Sequence, residues 1–291
     1  MDIENLFTSD DVKKIEQIYS DFNRESIISW MRNRLTADIS IFEINGDEEI
    51  VVVIPTADVN GSKARESSEV FRGSKIILVE SKGSLFNYAR SVNAGVKYAL
   101  NFSPKWVVVS NDDVHKIDDM STLRDQLSTA TKGLVLAKPS KYHSYAVSLM
   151  SVDKLEFIKA MSLIGKTFRL PPAEVYGYLT VKYGEKLGIK TMVLIDSMIG
   201  PFKRIGGKIV DSFINGGSFM ILNRNIINEK ILDETFINGY EDVYFSMKMR
   251  NDMEIIDFRI NEDRGASLGF GKFRFYRSYV NEIYLNWLLW G

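Results

Sequence analysis

The sequence predicts an α/β protein whose central sheet is mainly parallel and is flanked by helices. Three apolar runs rich in β-branched residues, at 50–54, 76–79 and 106–109, predict buried strands. Between the second and third runs, apolar residues follow helical spacing from Phe86 to Leu100. Strands that alternate with such connections favour parallel pairing with right-handed crossovers.

The composition excludes several classes of site. The 291 residues, of which 45% are hydrophobic, are enough for one large domain or two small ones. A net charge of −1 gives no electrostatic argument for nucleic acid as a partner. The absence of cysteine excludes disulfides, thiolate metal sites and cysteine nucleophiles, and the two histidines, His115 and His143, are too few for a histidine-rich zinc site.

The sequence gives an expectation about location as well. The first residues are acidic and contain no apolar segment of the kind found in a signal peptide. No stretch of about 18 apolar residues is present to span a membrane. We therefore expect a soluble, cytoplasmic protein.

Residues 1–48 are predicted to form an N-terminal helical extension. Ser9 and the two acids after it favour a helix start, and apolar residues then follow helical spacing as far as Phe22. A second helix is predicted from 27 to 35, and Asn45-Gly46 predicts a turn.

Residues 49–271 are predicted to form one compact domain with an insertion at about 140–210. Pro55 ends the first strand, and a further strand is predicted at 134–137. The pattern is weakest inside the insertion, where it predicts helices at 152–161 and 173–187 and a strand at 191–195. Beyond the insertion it predicts a strand over 213–223 that Gly216-Gly217 interrupts, and a helix over 240–250.

Residues 272–291 are predicted to form a C-terminal amphipathic helix packed on the domain. Its apolar and aromatic residues share one face: Tyr276, Tyr279, Val280, Ile283, Tyr284, Trp287 and Leu288. Trp287 and Trp290 leave a second interpretation open, a peripheral membrane or homodimer contact through this segment.

Asn111-Asp112-Asp113 is the strongest candidate for a binding site, because it directly follows the third predicted strand. Ligands of open α/β sheets bind at the carboxyl ends of the strands. Divalent cations such as Mg²⁺ and Mn²⁺ prefer carboxylate and phosphate oxygens, and adjacent acids repel one another unless a cation is present. The alternative is a solvated turn, since Asn and Asp are common turn residues.

Other polar residues near predicted strand ends are candidates for binding a nucleotide. Pro55 and Thr56 follow the first strand, and Glu80 follows the second. Arg90 and Asn93 share a face of the next helix, where the guanidinium could pair with a diphosphate. Each of these residues also has an ordinary structural explanation as part of a strand end or an amphipathic helix.

Glu241 and Asp242 are the candidates for acid–base chemistry. Acids in the first turn of a helix are stabilised by the helix dipole, which is a sufficient structural reason for them. The functional interpretation is that one carboxylate accepts a proton from a hydroxyl as that oxygen attacks. Gly216 and Gly217, just upstream, would let an acceptor or donor sugar approach the backbone.

The order of these segments resembles that of family 2 glycosyltransferases of the GT-A fold, over roughly residues 50–270. The resemblance implies a nucleotide-sugar donor, Mn²⁺ or Mg²⁺, and an inverting displacement. It assigns the metal to Asp113, help at the ribose or metal to Asp112, and nucleotide contacts to Pro55, Thr56 and Glu80. It assigns the catalytic base to Asp242, with Glu241 as the fallback, and the acceptor would be a glycan, a lipid-linked molecule or a protein.

The sequence departs from the family pattern in three places. Asn111 occupies a position that is usually acidic. Many members have a metal-binding histidine shortly before a Gly-x-Ser segment, whereas here Gly265-Ala266-Ser267 follows Asn261-Glu262-Asp263-Arg264, so that Glu262 or Asp263 replaces the histidine or the ligand is absent. The Gln-x-x-Arg-Trp motif of processive members is missing, which favours transfer of a single sugar.

Three basic residues, Arg264, Lys272 and Arg274, could add positive charge near the leaving group or could be surface charges. Two alternative functions stay open. A sugar-nucleotide nucleotidyltransferase would need a basic, glycine-containing loop after the first strand, of which 60–65 is a faint version. A non-catalytic sugar-nucleotide-binding or scaffold protein would keep the fold without the chemistry.

Overall fold

A computed structural model describes residues 2–195, 206–228, 230–263 and 271–291, without the side chain of Lys272. Its largest element is a seven-stranded sheet. From one edge to the other the strands are β1 (Ser40–Ile44), β3 (Ser74–Glu80), β2 (Asp47–Thr56), β4 (Trp106–Ser110), β10 (Phe219–Asn223), β6 (Leu134–Leu136) and β11 (Met253–Ile255).

The central sheet is mixed. Strand β2 pairs in parallel with β3 and β4, as the sequence predicts for the three apolar runs. Strand β10 runs antiparallel to both of its neighbours, β4 and β6, and β1 runs antiparallel to β3. Strand β11 is parallel to β6, so five of the seven strands run in one direction and only β1 and β10 run against them. The α/β class and the mainly parallel sheet are therefore confirmed.

The described helices are α1 (Ile3–Phe7), α2 (Val12–Asp21), α3 (Arg24–Asn33), α4 (Ser62–Val70), α5 (Tyr88–Ala99), α6 (Met120–Thr129), α7 (Leu155–Thr167), α8 (Pro171–Tyr183), α9 (Glu241–Met249) and α10 (Arg274–Trp290). Pro171 and Pro172 open α8 as expected. None of the described helices is long and apolar enough to cross a membrane.

Helix α5 lies directly on the central sheet, and Gly95 makes this close approach possible. A side chain at Gly95 would overlap Val53 of β2 and Val79 of β3. A glycine inside a helix costs about 1 kcal/mol relative to alanine, so the close packing supplies the reason for this residue.

Three strands between 143 and 217 build a second sheet. Strands β7 (His143–Ser151), β8 (Thr191–Ile195) and β9 (Ile209–Gly217) form an antiparallel sheet in the order β8-β7-β9. The predicted interruption of the 213–223 strand at Gly216-Gly217 is confirmed, and it separates two strands, because β9 ends at Gly217 in one sheet and β10 begins at Phe219 in the other. Gly217 has a φ of +66°, and a side chain there would meet the Tyr142 carbonyl oxygen.

Two further strands form a small separate pair. Strand β5 (Val114–Ile117) pairs antiparallel with β12 (Ile260–Glu262), and Glu262 lies opposite Val114. This pairing carries the segment around Glu262 to the end of β4, next to the acids that follow it.

The N-terminal extension is only partly helical. Helices α2 and α3 lie close to the predicted positions, but Asp11 rather than Ser9 caps α2, with its carboxylate accepting from the Lys13 amide at 2.9 Å. Strand β1 was predicted as part of the helical extension, yet it forms the edge of the central sheet.

Helix α10 lies inside the protein rather than on its surface. Residues 277–286 are all buried, beneath α2, α3, α8 and β8. A face for a membrane or a second copy is therefore covered over 277–286, and among the described large side chains of α10 only Trp290 is strongly exposed, at 40%.

Candidate functional site

A cavity of about 400 Å³ lies where the two sheets meet the ends of α5, α8, α9 and α10. Four carboxyl groups of the described residues line it: Asp113, Glu241, Asp242 and Glu262. The basic residues in its described lining are Lys141 and Arg274. The cavity is thus acidic, with carboxyl groups from three separate parts of the chain.

The acids after β4 are fixed by contacts with neighbouring strands. The Asn111 amide donates to the Ser218 carbonyl at 3.0 Å, and the Thr56 hydroxyl donates to Asp112 Oδ2 at 2.8 Å. The Asp113 carbonyl accepts from the Asp263 amide at 3.0 Å. Asp112 and Asp113 are both buried, and only Asp113 lines the cavity.

Asp113 lies in an environment that disfavours its charge. Burial, with repulsion from Glu262 and Asp112, raises the pKa of Asp113 to about 6, while Lys63 acts in the opposite direction. Its Oδ1 atom is buried and has no hydrogen-bond partner among the described residues. A buried carboxylate oxygen of this kind needs a cation or a donor.

Glu262 lies next to Asp113 and is held by two residues from elsewhere in the chain. Its carboxylate contacts Nδ1 of His143 and the hydroxyl of Ser218. His143 is fully buried, and its Nε2 lies 3.0 Å from the Lys138 carbonyl oxygen. Asp263, the other residue predicted to replace the family histidine, is exposed and lies 3.4 Å from His115, so the structure brings Glu262 and not Asp263 to the cavity.

Glu241 and Asp242 open α9, and both line the same cavity. Glu241 is buried, and its Oε2 accepts from the Gly239 amide at 2.6 Å. Asp242 is half-buried, and its Oδ2 accepts from Asn215 Nδ2 at 2.7 Å. The same amide nitrogen of Asn215 donates to the Tyr145 hydroxyl at 2.8 Å.

Burial raises the pKa of both carboxyls at the start of α9. Repulsion from Asp242 adds to the rise for Glu241, while Arg274 and the hydrogen bonds to each carboxylate oppose it. The pair therefore holds its protons more tightly than ordinary surface acids.

The turn before α9 is strained and firmly held. Asn238 and Tyr240 have backbone φ angles of +46° and +75°, in a region that residues other than glycine rarely adopt. Asn238 accepts from the Tyr88 amide at 2.9 Å and donates to the Phe86 carbonyl at 3.0 Å. The strained turn lies directly before Glu241 and Asp242. The hydrogen bonds of Asn238 hold this turn and so fix the direction in which α9 begins.

Several predicted binding residues lie outside the described lining of the cavity: Pro55, Thr56, Glu80, Arg90, Asn93, Asp112 and Gly216. Pro55 lies within β2 rather than after it. Thr56 contacts Asp112, and Glu80 accepts from the Val59 amide at 3.1 Å, so both lie at the neighbouring carboxyl ends of β2 and β3. Gly217 lines the cavity.

Arg90 and Asn93 have structural contacts instead. The Asn93 side chain accepts from the amides of Ile231 and Leu232 and donates to the Leu232 carbonyl at 2.8 Å. Arg90 points to the Ala37 carbonyl at 3.4 Å. The structure therefore assigns these residues to fixing segments that pack on α5 and does not bring them to the cavity.

Of the three basic candidates, Arg274 lines the cavity and lies on the side of Glu241 and Asp242. Arg264 and the Gly265-Ala266-Ser267 segment lie outside the described residues, as does the side chain of Lys272.

Asp113 and Glu262 are the carboxylates of the cavity that could hold a divalent cation. No group of three or more His, Asp or Glu side chains is arranged to hold an ion within the described ranges. Asp113 nonetheless offers a buried, unpartnered oxygen beside Glu262. Mg²⁺ is commonly held by only one or two carboxylates together with substrate phosphates, so Asp113 and Glu262 fit a divalent cation that binds with a phosphorylated ligand.

Comparisons with known proteins add little to this geometry. No protein-family model matches the sequence, and no curated protein matches it. The chain is similar to the solved structure of A197 from STIV, with 10% sequence identity over 74% of this chain and 85% of that one and a TM-score of 0.40. A similarity at this TM-score carries no argument about function.

His143 and Tyr88 are among the residues of the site that the sequence did not predict. His143 reaches Glu262 across 119 positions of the chain, and no local motif marks such a pair. Tyr88 lines the cavity from the first turn of α5, where helical spacing alone does not distinguish it from a packing residue.

Proposed function

We propose that this protein is a metal-dependent inverting glycosyltransferase of the GT-A type, which moves a single sugar from a nucleotide-sugar donor to a hydroxyl acceptor. The observation that carries the proposal is that two carboxyl pairs from distant parts of the chain, Asp113 with Glu262 and Glu241 with Asp242, line one cavity. The resemblance to family 2 glycosyltransferases assigns a metal site and a base to these same segments.

Asp242 is the better candidate for the base. Glu241 is buried and is engaged by the Gly239 amide, whereas Asp242 is half-buried and is oriented by Asn215. The raised pKa of Asp242 makes its carboxylate a stronger proton acceptor than a surface aspartate. It would take the proton of the acceptor hydroxyl as that oxygen attacks the anomeric carbon from the face opposite the diphosphate.

Asp113 and Glu262 would hold Mn²⁺ or Mg²⁺. Asp112, which is buried beside Asp113 and outside the described cavity lining, would assist them. A bound divalent cation supplies positive charge that offsets the charge developing on the leaving diphosphate. His143 and Ser218 fix the direction of the Glu262 carboxylate, so the chain provides an ordered second layer of contacts around the proposed ligands.

The nucleoside would lie at the carboxyl ends of β2 and β3, where Thr56 and Glu80 occupy adjacent positions. The Thr56 hydroxyl bonds Asp112, and this contact would connect the nucleotide end of the site to the metal end. We propose a cytoplasmic location and a glycan, a lipid-linked molecule or a protein as the acceptor.

The experiment is a comparison of Asp242→Asn with the parent protein. Release of nucleoside diphosphate is measured from a panel of UDP-, GDP- and dTDP-sugars with Mn²⁺ or Mg²⁺ and varied acceptors. Loss of a general base lowers turnover by about 10²- to 10⁴-fold, while binding of the nucleoside diphosphate measured by thermal shift should stay unchanged. The control is Asp125→Asn, an exposed aspartate on α6; equal turnover in all three proteins would contradict the proposal.

One observation favours a second candidate. Lys63, in the first turn of α4, lies close enough to Asp113 to lower its pKa, and it belongs to the basic segment 60–65, the faint version of the loop that a sugar-nucleotide nucleotidyltransferase would need. Such an enzyme would release pyrophosphate from a nucleoside triphosphate and a sugar phosphate. Pyrophosphate in that assay, without nucleoside diphosphate from any nucleotide sugar, would favour the second candidate.

A further inference from the structure

The hydroxyl of Tyr88 is an unexplained polar group at the centre of the site. Tyr88 lines the cavity, and its hydroxyl oxygen is buried without a hydrogen-bond partner among the described residues. Leaving a buried hydroxyl unpaired costs free energy. A group of this kind in a cavity points to a ligand that completes its hydrogen bonding.

The surrounding chain holds Tyr88 in place. Its amide donates to Asn238 Oδ1 at 2.9 Å, in the strained turn before α9. Its neighbour Asn87 caps α5 and donates through its side chain to the Glu234 carbonyl at 2.8 Å. The tyrosine is thus anchored to the same segment that positions Glu241 and Asp242.

Tyr88 shares the cavity with both carboxyl pairs. Burial raises the pKa of its hydroxyl, and the charges of Glu241, Asp242, Asp113 and Glu262 all raise it further. The hydroxyl consequently stays protonated and serves as a hydrogen-bond donor. It donates to none of these four carboxylates.

Two acceptor oxygens complete the pattern. Asn111 Oδ1 and Asp113 Oδ1 are also buried without partners among the described residues, and both residues line the same cavity. Aromatic side chains form much of the remaining wall: Phe86, Tyr142, Tyr145, Tyr176, Tyr240 and Phe275. Unpaired donors and acceptors beside aromatic rings suit a sugar ring, which presents hydroxyl groups at its edge and C–H groups on its faces.

We propose that the Tyr88 hydroxyl donates a hydrogen bond to a ring hydroxyl of the sugar that is transferred, and that Tyr88 is therefore a determinant of donor-sugar specificity. The inference rests on the proposed function. In that reaction the transferred sugar must lie between the diphosphate at Asp113 and the base at Asp242, which is the position that Tyr88 faces.

The test compares Tyr88→Phe with the parent protein in the presence of Mn²⁺. Calorimetry gives the Kd of UDP, GDP and dTDP and of their common hexose and N-acetylhexosamine conjugates. We expect Tyr88→Phe to bind the free nucleoside diphosphate as the parent does and to bind the preferred nucleotide sugar roughly three- to tenfold more weakly. A deoxy analogue that lacks the contacted hydroxyl should bind both proteins equally.

Tyr98→Phe is the matched control, because Tyr98 lies on the same helix and its hydroxyl contacts Glu43 at the surface. If the parent binds none of the nucleoside diphosphates, the proposed function fails. If the parent binds the nucleotide sugar more tightly than the free diphosphate and Tyr88→Phe does so to the same degree, the proposed function survives and the inference about Tyr88 is wrong.

Discussion

Asn215 is the residue that orients the proposed base. Its side-chain nitrogen, Nδ2, donates to Asp242 Oδ2 at 2.7 Å and to the Tyr145 hydroxyl at 2.8 Å. Its side-chain oxygen, Oδ1, accepts from the Ser246 hydroxyl at 3.1 Å. With all three contacts in place the amide has one orientation only. The hydrogen bond to Asp242 also favours the charged carboxylate and lowers a pKa that burial raises.

We expect Asn215→Ala to move the acid limb of the pH profile of kcat/KM to higher pH. Removal of the hydrogen bond lets the pKa of Asp242 rise, because that bond stabilises the charged carboxylate. Activity at pH 6 should therefore fall more than activity at pH 8. Ser246→Ala removes a partner of Asn215 that does not contact Asp242, and an equal shift in both variants would contradict this role.

The predictability of the site differs from residue to residue. Asp113, Asp242 and Glu262 could be proposed from the sequence because acids next to strand ends and helix starts are local patterns. The arrangement of His143 against Glu262 and the buried hydroxyl of Tyr88 depend on how distant segments pack. Arg90 and Asn93 are the opposite case. Their shared helix face predicted a role in binding a nucleotide, but their side chains contact the backbone of segments that pack on α5.

At the scale of elements, α10 acts as an internal brace. Three of its buried polar residues bond the backbone of other segments. Asn281 pairs with both the amide and the carbonyl of Ile237 at 2.9 Å, Asn286 accepts from the Thr191 amide at 2.9 Å, and Glu282 accepts from the Val193 amide at 2.8 Å. The helix thereby connects β8 of the second sheet to the segment that precedes α9.

We expect Asn281→Ala to lower the free energy of unfolding by about 1–3 kcal/mol, because it leaves the buried amide and carbonyl of Ile237 unpaired. Urea denaturation with fluorescence detection gives the value. Asn33→Ala, which removes a bond from an exposed side chain to the Ser29 carbonyl, is the control and should change stability by less than about 0.5 kcal/mol. Equal losses in the two variants would contradict the bracing role.

Two features of the fold could not be read from sequence patterns: the complete burial of α10 and the strands β1 and β5. The spacing of apolar residues predicts that α10 has one buried face, but the N-terminal helices cover its other side, and a single-segment pattern cannot include a covering element far away in the chain. Strands β1 and β5 have exposed or mixed burial, so they lack the continuous apolar runs that predicted β2, β3 and β4.

At the scale of the whole molecule, several buried carboxyl groups make stability depend on pH. Glu282 is fully buried, away from the proposed metal site, and burial raises its pKa from 4.5 to about 8. The folded protein therefore binds this proton more tightly than the unfolded chain does. The resulting contribution to stability is fully present below about pH 4.5 and is lost as the pH rises through about 8.

We expect Glu282→Gln to remove this part of the pH dependence, because glutamine has a similar shape and stays neutral. The variant and the parent should have similar urea midpoints at pH 5, and the variant should be the more stable at pH 8.5, where the parent must hold a buried charge. Glu241, whose pKa is also raised, affects both proteins alike and cancels in the difference. Glu185→Gln, at an exposed position, should follow the parent at every pH. If the urea midpoints of Glu282→Gln and the parent change with pH in parallel, Glu282 is already ionised in the folded protein. The proposed contribution of Glu282 to the pH dependence of stability would then be wrong.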